Sequence, residues 1–234
     1  AKSSTGLRRS LAEWIAGDSN FLTARVMVNR IWQHLFGRGI VRTPNNLGRR
    51  GLPPTHPELL DWLARDFILG GWKIKRLQKL IMLSRAYRMS SRVKEGKALR
   101  EDPSNELFWR QNMKRLEAEA IRDSILFAAG GLNPDMGGRG FFPKLGREVI
   151  AGGSRPGWGW GVSNSKEQSR RSVYIYTKRG TLMPLIEGFD YTNTVRSLGM
   201  RTVTTVAPQA LMLLNSAFLD WQAGVFSSRL LAEK

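Results

Sequence analysis

Cysteine is absent from this 234-residue chain, and histidine occurs only as His34 and His56. The first absence excludes disulfides, thiolate metal sites, cysteine nucleophiles and covalent haem attachment through Cys-x-x-Cys-His. It leaves the compartment open, because a chain this long can build a core without disulfides even outside the cell. Long apolar runs are missing as well. None could span a membrane, and the N-terminal "AKSSTGLRRS" holds no signal-peptide core. Walker, Gly-x-Ser-x-Gly, His-Glu-x-x-His and calcium-loop patterns are also absent. The segment "NPDMGGRG" offers one carboxylate, too few for an oxygen cage. No cofactor and no metal are expected. Acidic residues are scarce: 19 Asp and Glu face 37 Lys and Arg, for a net charge of +18. Of the basic residues 26 are arginine, whose planar fork suits carboxylate, phosphate and sulfate oxygens. One reading is a polyanionic partner: an anionic glycan, a nucleic acid or an acidic neighbouring domain. The other is structural ion pairs and a solvated basic face, since net charge argues about association and not about fold.

What is present in the first half is helical periodicity. In "NFLTARVMVNRIWQHLFGRG" the residues Phe21, Ala24, Val28, Ile31, Trp32 and Leu35 share one face. Asp18, Ser19 or Asn20 supplies a cap, and Gly37 a stop. A loop, "VRTPNNLGRRGLPP", leads to a second helix announced by Pro57 and a capping box of Thr55 and Glu58. A third is expected over 73–89. Short-linked helices of this kind make a bundle the economical packing. The segment "MKRLEAEAIRDSILFAAGGLNP" is apolar nearly all round, which predicts a helix buried on most sides and charges that need partners.

From Gly130 to Gly161 the texture changes, with 11 glycines in 32 residues. A long irregular loop follows from that composition. Next, "RRSVYIYTK" alternates as a short strand, and the last segment reads as one long helix opened by Pro208. The fold class is therefore mainly α: a helical bundle with a long Gly-rich loop and a minor β element. The expected organisation is a single domain over 1–234, made of a helical body (1–135), a Gly-rich loop region (136–170), and a short strand with a C-terminal helix (171–234). A start at Ala1 without a methionine adds the expectation of a piece of a longer protein.

Two groups of residues could carry function. Glu119 and Asp123, four apart on a helix, can face one substrate as a general acid and base, as polysaccharide hydrolysis requires. Glu117, about 160° round the wheel from Glu119, cannot join them. The structural alternative is that the pair receives Arg115, Arg122, Arg170 or Arg171 and locks helix to strand. The second group is "SRPGWGWGVSN", where Trp158 and Trp160 alternate with glycine. The rings either anchor the loop onto the helical body or form an exposed platform that stacks on sugars or bases. In the platform reading Arg155, Trp158, Trp160, Arg170 and Arg171 are the ligand-binding residues, with no catalytic residue. His34 lies off the main apolar stripe, and His56 stands at a helix start where the dipole disfavours its charge.

Seven blocks together carry a resemblance: "RVMVNRIWQHLFGRGIVRTPNNLG", "PPTHPELLDWLA", "GWKIKRLQKLIMLSRAYRMSS", "DPSNELFWR", "RLEAEAIRD", "RRSVYIY" and "PQALMLLN". In this order they resemble the planctomycete-specific domain of unknown function that closes large exported planctomycete proteins, many with an upstream cytochrome-c-like module. The resemblance implies an exported or envelope-associated location, a C-terminal position in a multidomain parent, and upstream domains of that polypeptide as partners. It brings no catalytic residue. The expected function is a non-catalytic binding or assembly module for anionic polysaccharide or a partner domain. A polysaccharide hydrolase using Glu119 and Asp123 is the alternative. Nucleic-acid binding has only the charge behind it, with no helix-turn-helix, RNA-recognition or zinc-finger signature beside it.

Overall fold

Helix accounts for 48% of the described residues and strand for 3%, so the fold is mainly α, as the periodicity requires. The computed structural model describes residues 5–17, 19–92, 96–151, 157–192 and 194–233. They fall into two compact units, Ala1–Lys114 and Arg115–Lys234.

The first unit contains α1 (Leu7–Ala16), α2 (Phe21–Phe36), α3 (Pro57–Leu69), α4 (Ile74–Met82) and α5 (Lys97–Glu101). Asn20 caps α2 by accepting the Leu22 N–H at 3.1 Å, and Gly37 ends it in the left-handed conformation. Asp18, another candidate for that cap, lies outside the described residues. Ala24, Val28, Ile31, Trp32 and Phe36 of α2 are buried with Leu60, Leu63, Ala64 and Phe67 of α3. Leu77 and Ile81 of α4 close this core, and Trp32 stacks on Phe36 at 4.2 Å. Asn29 is fully buried, and its amide does what a neighbouring strand would do. Nδ2 donates to the Val41 carbonyl at 3.0 Å, and Oδ1 accepts the Val41 N–H at 2.8 Å. The loop after α2 is thereby fixed to the helix.

Two local expectations fail in this unit. The Thr55–Glu58 capping box does not form, because His56 is the cap residue and Thr55 stands one position too early. The Thr55 hydroxyl donates to the Ile40 carbonyl at 3.3 Å instead. Helix α4 ends at Met82 and not near Met89. There the Ser84 hydroxyl accepts the Tyr87 N–H at 3.2 Å, a local bond that competes with helix continuation, while Tyr87 turns its ring onto Phe36.

The second unit contains α6 (Ala118–Ala128), α7 (Arg147–Ala151), α8 (Ser165–Gln168), α9 (Pro184–Gly188), α10 (Ala207–Leu214) and α11 (Ala217–Ala232). Its core joins Ala118, Leu185, Ile186 and Phe189, with Met212, Leu213, Phe218 and Leu219 packed against them. Helix α6 buries only Ala118, Arg122 and Leu126, a stripe of spacing four, and Phe127 is 73% exposed. The expectation of burial on most sides is corrected accordingly. The expected strand is a 3-10 turn at Ser172–Tyr174 followed by an isolated bridge, Phe141 with Ile175. The facing segment is too rich in glycine and proline to extend a ladder. The expected single C-terminal helix is two, since Ser216 caps α11 by accepting the Leu219 N–H at 3.4 Å.

Candidate functional site

The acidic residues of α6 are all engaged. Arg201 donates to Glu119 from both terminal guanidinium nitrogens, at 2.8 and 2.9 Å, and reaches Glu117 at 3.4 Å. Glu117 and Glu119 therefore converge on one cation. The wheel argument that separated them fails because Glu117 is the cap residue, with extended ψ of 155°, and does not lie on the helix. Asp123 accepts the Ser172 N–H and the Ser172 hydroxyl, both at 2.7 Å. Beside it Arg122 is buried to 2% exposure and donates to the carbonyls of Arg170 (3.0 Å) and Gln168 and to the Ser172 hydroxyl at 3.2 Å. The rings of Phe141 and Phe218 cover its guanidinium. Burial pulls the Arg122 guanidinium down to about 10, with Asp123 acting in the other direction, so the group stays charged at neutral pH. These contacts tie α6 to the 168–172 segment. Of the four arginines expected here, Arg122 lies 3.8 Å from Asp123; the cation on Glu119 is Arg201, 82 residues away along the chain and beyond the reach of any local pattern.

The tryptophan segment is built differently. Gly157 accepts the Trp160 N–H at 3.1 Å, which closes a turn with Trp158 and Gly159 at its tip. Gly159 has φ of +71°, a conformation glycine adopts without a Cβ clash. Trp160 turns inward, half-buried, and packs edge-on against Phe142 at 5.7 Å and Tyr176 at 5.8 Å. Phe142 and Tyr176 meet at 4.6 Å. Gly161 makes this cluster possible, because a Cβ there would stand 2.7 Å from the Phe142 ring. Trp158 turns outward and is 65% exposed. Lys178 holds it by covering one face, with its ammonium 5.4 Å from the ring centroid and a hydrogen bond to the Trp158 carbonyl, so the opposite face is the one displayed. Tyr176, which packs on Trp160 and Phe142, is itself 38% exposed. One ring anchors and the other is displayed.

The arginines predicted beside these rings part company. Arg155 lies outside the described residues. Arg170 is buried, stacked 4.0 Å over Tyr174, and donates to the carbonyls of Arg139 (2.9 Å) and Gly137. It organises the loop, which is a consequence of the many bare carbonyls that a glycine-rich chain leaves to satisfy. Arg171 is exposed. Phe142, Tyr176 and Lys178 complete the cluster beyond the residues expected from sequence; Tyr176 and Lys178 lie in the alternating "YIYTK", which predicts a strand, and Phe142 has no local signal. His34 is exposed, while His56 Nδ1 lies 3.0 Å from the Thr55 hydroxyl and its ring packs on Phe108. Among the described residues no three His, Asp or Glu side chains gather as metal ligands. A cleft of about 610 Å³ beside Phe127, Leu132 and Phe226 has no carboxylate in its lining. Another, of about 450 Å³, holds Asp61, already paired with Arg25.

The order of the sequence blocks now meets its counterpart. Residues 7–234 match a family described as protein of unknown function, DUF1553. The chain belongs to the DUF1553 family. The DUF1553 match spans both compact units. No curated protein and no solved structure matches the chain significantly.

Proposed function

We propose that the chain is a non-catalytic binding module whose second unit holds the sugar rings of an anionic polysaccharide on Trp158 and Tyr176. The observation that carries this reading is the division of labour in the turn. Trp160 fixes the segment by joining Phe142 and Tyr176, and Trp158 is held outward by Lys178 at the tip. A large exposed ring is unfavourable in water, and a pre-positioned one stacks on a sugar face with little loss of conformational freedom. Lys178 and the exposed Arg171 supply cations for carboxylate or sulfate groups. The non-catalytic reading is supported by the engagement of Glu119 with Arg201 and of Asp123 with Ser172, which gives both carboxylates structural partners. In this reading the chain is the C-terminal module of an exported planctomycete protein, and upstream domains of that polypeptide, a cytochrome-c-like one among them, act while it holds the polymer. The test is titration of the protein with polyuronate and with sulfated polysaccharide, for wild type and Trp158→Ala. Binding that weakens about tenfold in the variant at unchanged melting temperature supports the platform. Equal binding by both proteins, or none by either, refutes it.

A further inference from the structure

The positive charge is not where the rings are. Residues 1–114 hold 22 basic and 9 acidic residues, a net of +13, whereas residues 115–234 hold 15 and 10, a net of +5. Within the first unit the carboxylates are largely engaged: Asp61 with Arg25, Asp66 with Arg76, Glu101 with Lys97, Glu106 with Arg42. On α4 the result is a face of uncompensated cations. Arg76 is neutralised by two bonds to Asp66, at 2.6 and 2.7 Å. Lys75 and Lys79 are exposed and, among the described residues, have no carboxylate within ion-pair distance, and the same holds for Arg85 and Arg88 in the turn that follows.

The same face is also apolar. On a helical wheel Lys75, Lys79, Met82 and Leu83 share an arc of about 100°. That arc lies opposite Leu77 and Ile81, which are buried in the core and fix the rotation of the helix. Met82 is 44% exposed and Leu83 62%. Tyr87, seated on Phe36, pins the next turn so that Arg85, Arg88 and Met89 stay outside. A soluble polyanion would satisfy the cations and leave Met82 and Leu83 in water. A bilayer surface satisfies both, since headgroup phosphates meet the lysines and arginines while the acyl boundary takes the methionine and leucine.

We propose that α4 and the turn after it form a docking surface for an anionic lipid bilayer, separate from the ring platform of the second unit. Binding is peripheral: no helix among the described residues is long and apolar enough to cross a membrane. The proposal stands on charge complementarity with the first unit's +13 and on apolar residues interleaved with the cations.

The experiment is co-sedimentation of the whole chain with vesicles of phosphatidylcholine alone or mixed with phosphatidylglycerol. Wild type is expected to sediment with the mixed vesicles only. Lys75→Glu with Lys79→Glu, and separately Met82→Ser with Leu83→Ser, are each expected to weaken that binding about tenfold or more. Trp158→Ala is expected to leave it unchanged, so this surface and the ring platform fail or survive separately. All four altered side chains are solvent-exposed, and a thermal melt checks each variant; the lysine pair decides the matter where the serine pair melts early. Three results overturn the proposal: no sedimentation with phosphatidylglycerol; serine variants that bind like wild type and are displaced by soluble polysulfate, which marks a polyanion site; or a wild-type dimer that the serine pair converts to monomer, which marks a contact between copies.

Discussion

Arg201 grips Glu119 through both of its terminal nitrogens, and its Nη1 also reaches Glu117. The side chains are 33% and 23% exposed, which places the Arg201–Glu119 pair between a surface bridge and a buried one. Removing one partner of a fully buried pair destabilises by about 3–5 kcal/mol, and the exposed case is worth about 0–1. Glu119→Ala and Arg201→Ala are each expected to lower stability by about 1–2 kcal/mol in urea unfolding. A double-mutant cycle should return a coupling of about 1 kcal/mol. Strict additivity of the two would show that the bidentate contact contributes nothing.

The two tryptophans should separate cleanly in a melting experiment. Trp160→Ala removes two edge contacts and a half-buried ring, and a loss of about 2–4 kcal/mol is expected. Gly161→Ala should destabilise by about 1–3 kcal/mol, because the new methyl displaces Phe142. Trp158→Ala is expected to change stability by less than about 0.5 kcal/mol. A Trp158 variant that melts as early as the Trp160 variant would make both rings anchors and remove the platform.

Asn29 offers a test of the first unit. Its amide satisfies both backbone groups of Val41 inside the core. Asn29→Leu has similar volume and leaves that N–H and carbonyl without partners, so a destabilisation of about 2–5 kcal/mol is expected despite greater hydrophobicity. Calorimetry showing the leucine variant to be as stable as wild type would mean that the loop after α2 finds other partners.

Asp190 predicts a response to acid. The Thr204 backbone N–H above all holds this carboxyl below 3.8, with burial working the other way and the Thr204 hydroxyl and Arg115 helping to lower it. A carboxyl whose folded pKa lies below the unfolded one contributes stability in full above the unfolded value, and loses it as pH falls through the folded value. The urea midpoint of wild type should therefore drop more steeply than that of Asp190→Asn below about pH 4. Parallel curves for the two proteins would remove Asp190 as a source of acid sensitivity.

What could be read from the sequence divides along the range of the interactions. Helices α2 and α3 were legible because periodicity, proline and a glycine stop act within a few residues. The break between α10 and α11 had a local sign in Asn215 and Ser216, outweighed by the apolar residues on both sides. The strand reading of "RRSVYIYTK" failed because alternation reports a residue's two faces and not whether a partner strand exists; the segment opposite is glycine-rich and supplies one bridge. Arg170 and Arg201 could not be told apart from solvated arginines, since what distinguishes them is which distant carbonyl or carboxylate they meet. The platform was half legible: a turn with two rings was visible, but which ring faces inward depends on Phe142 and Tyr176, which lie 18 and 16 residues from Trp160.

Arg122 finds its acceptors 46 and 48 residues downstream, at Gln168 and Arg170, and Glu119 waits 82 residues for Arg201. On the ribosome this sets a timetable. The first unit, whose α2 and α3 lie close together in the chain, has everything it needs before Arg122 emerges, and α6 must then remain solvated until most of the second unit has been made. A chain interrupted between α6 and Gln168 would carry a helix with its cation unmated, so nascent chains of that length are where chaperone dependence and proteolysis should concentrate.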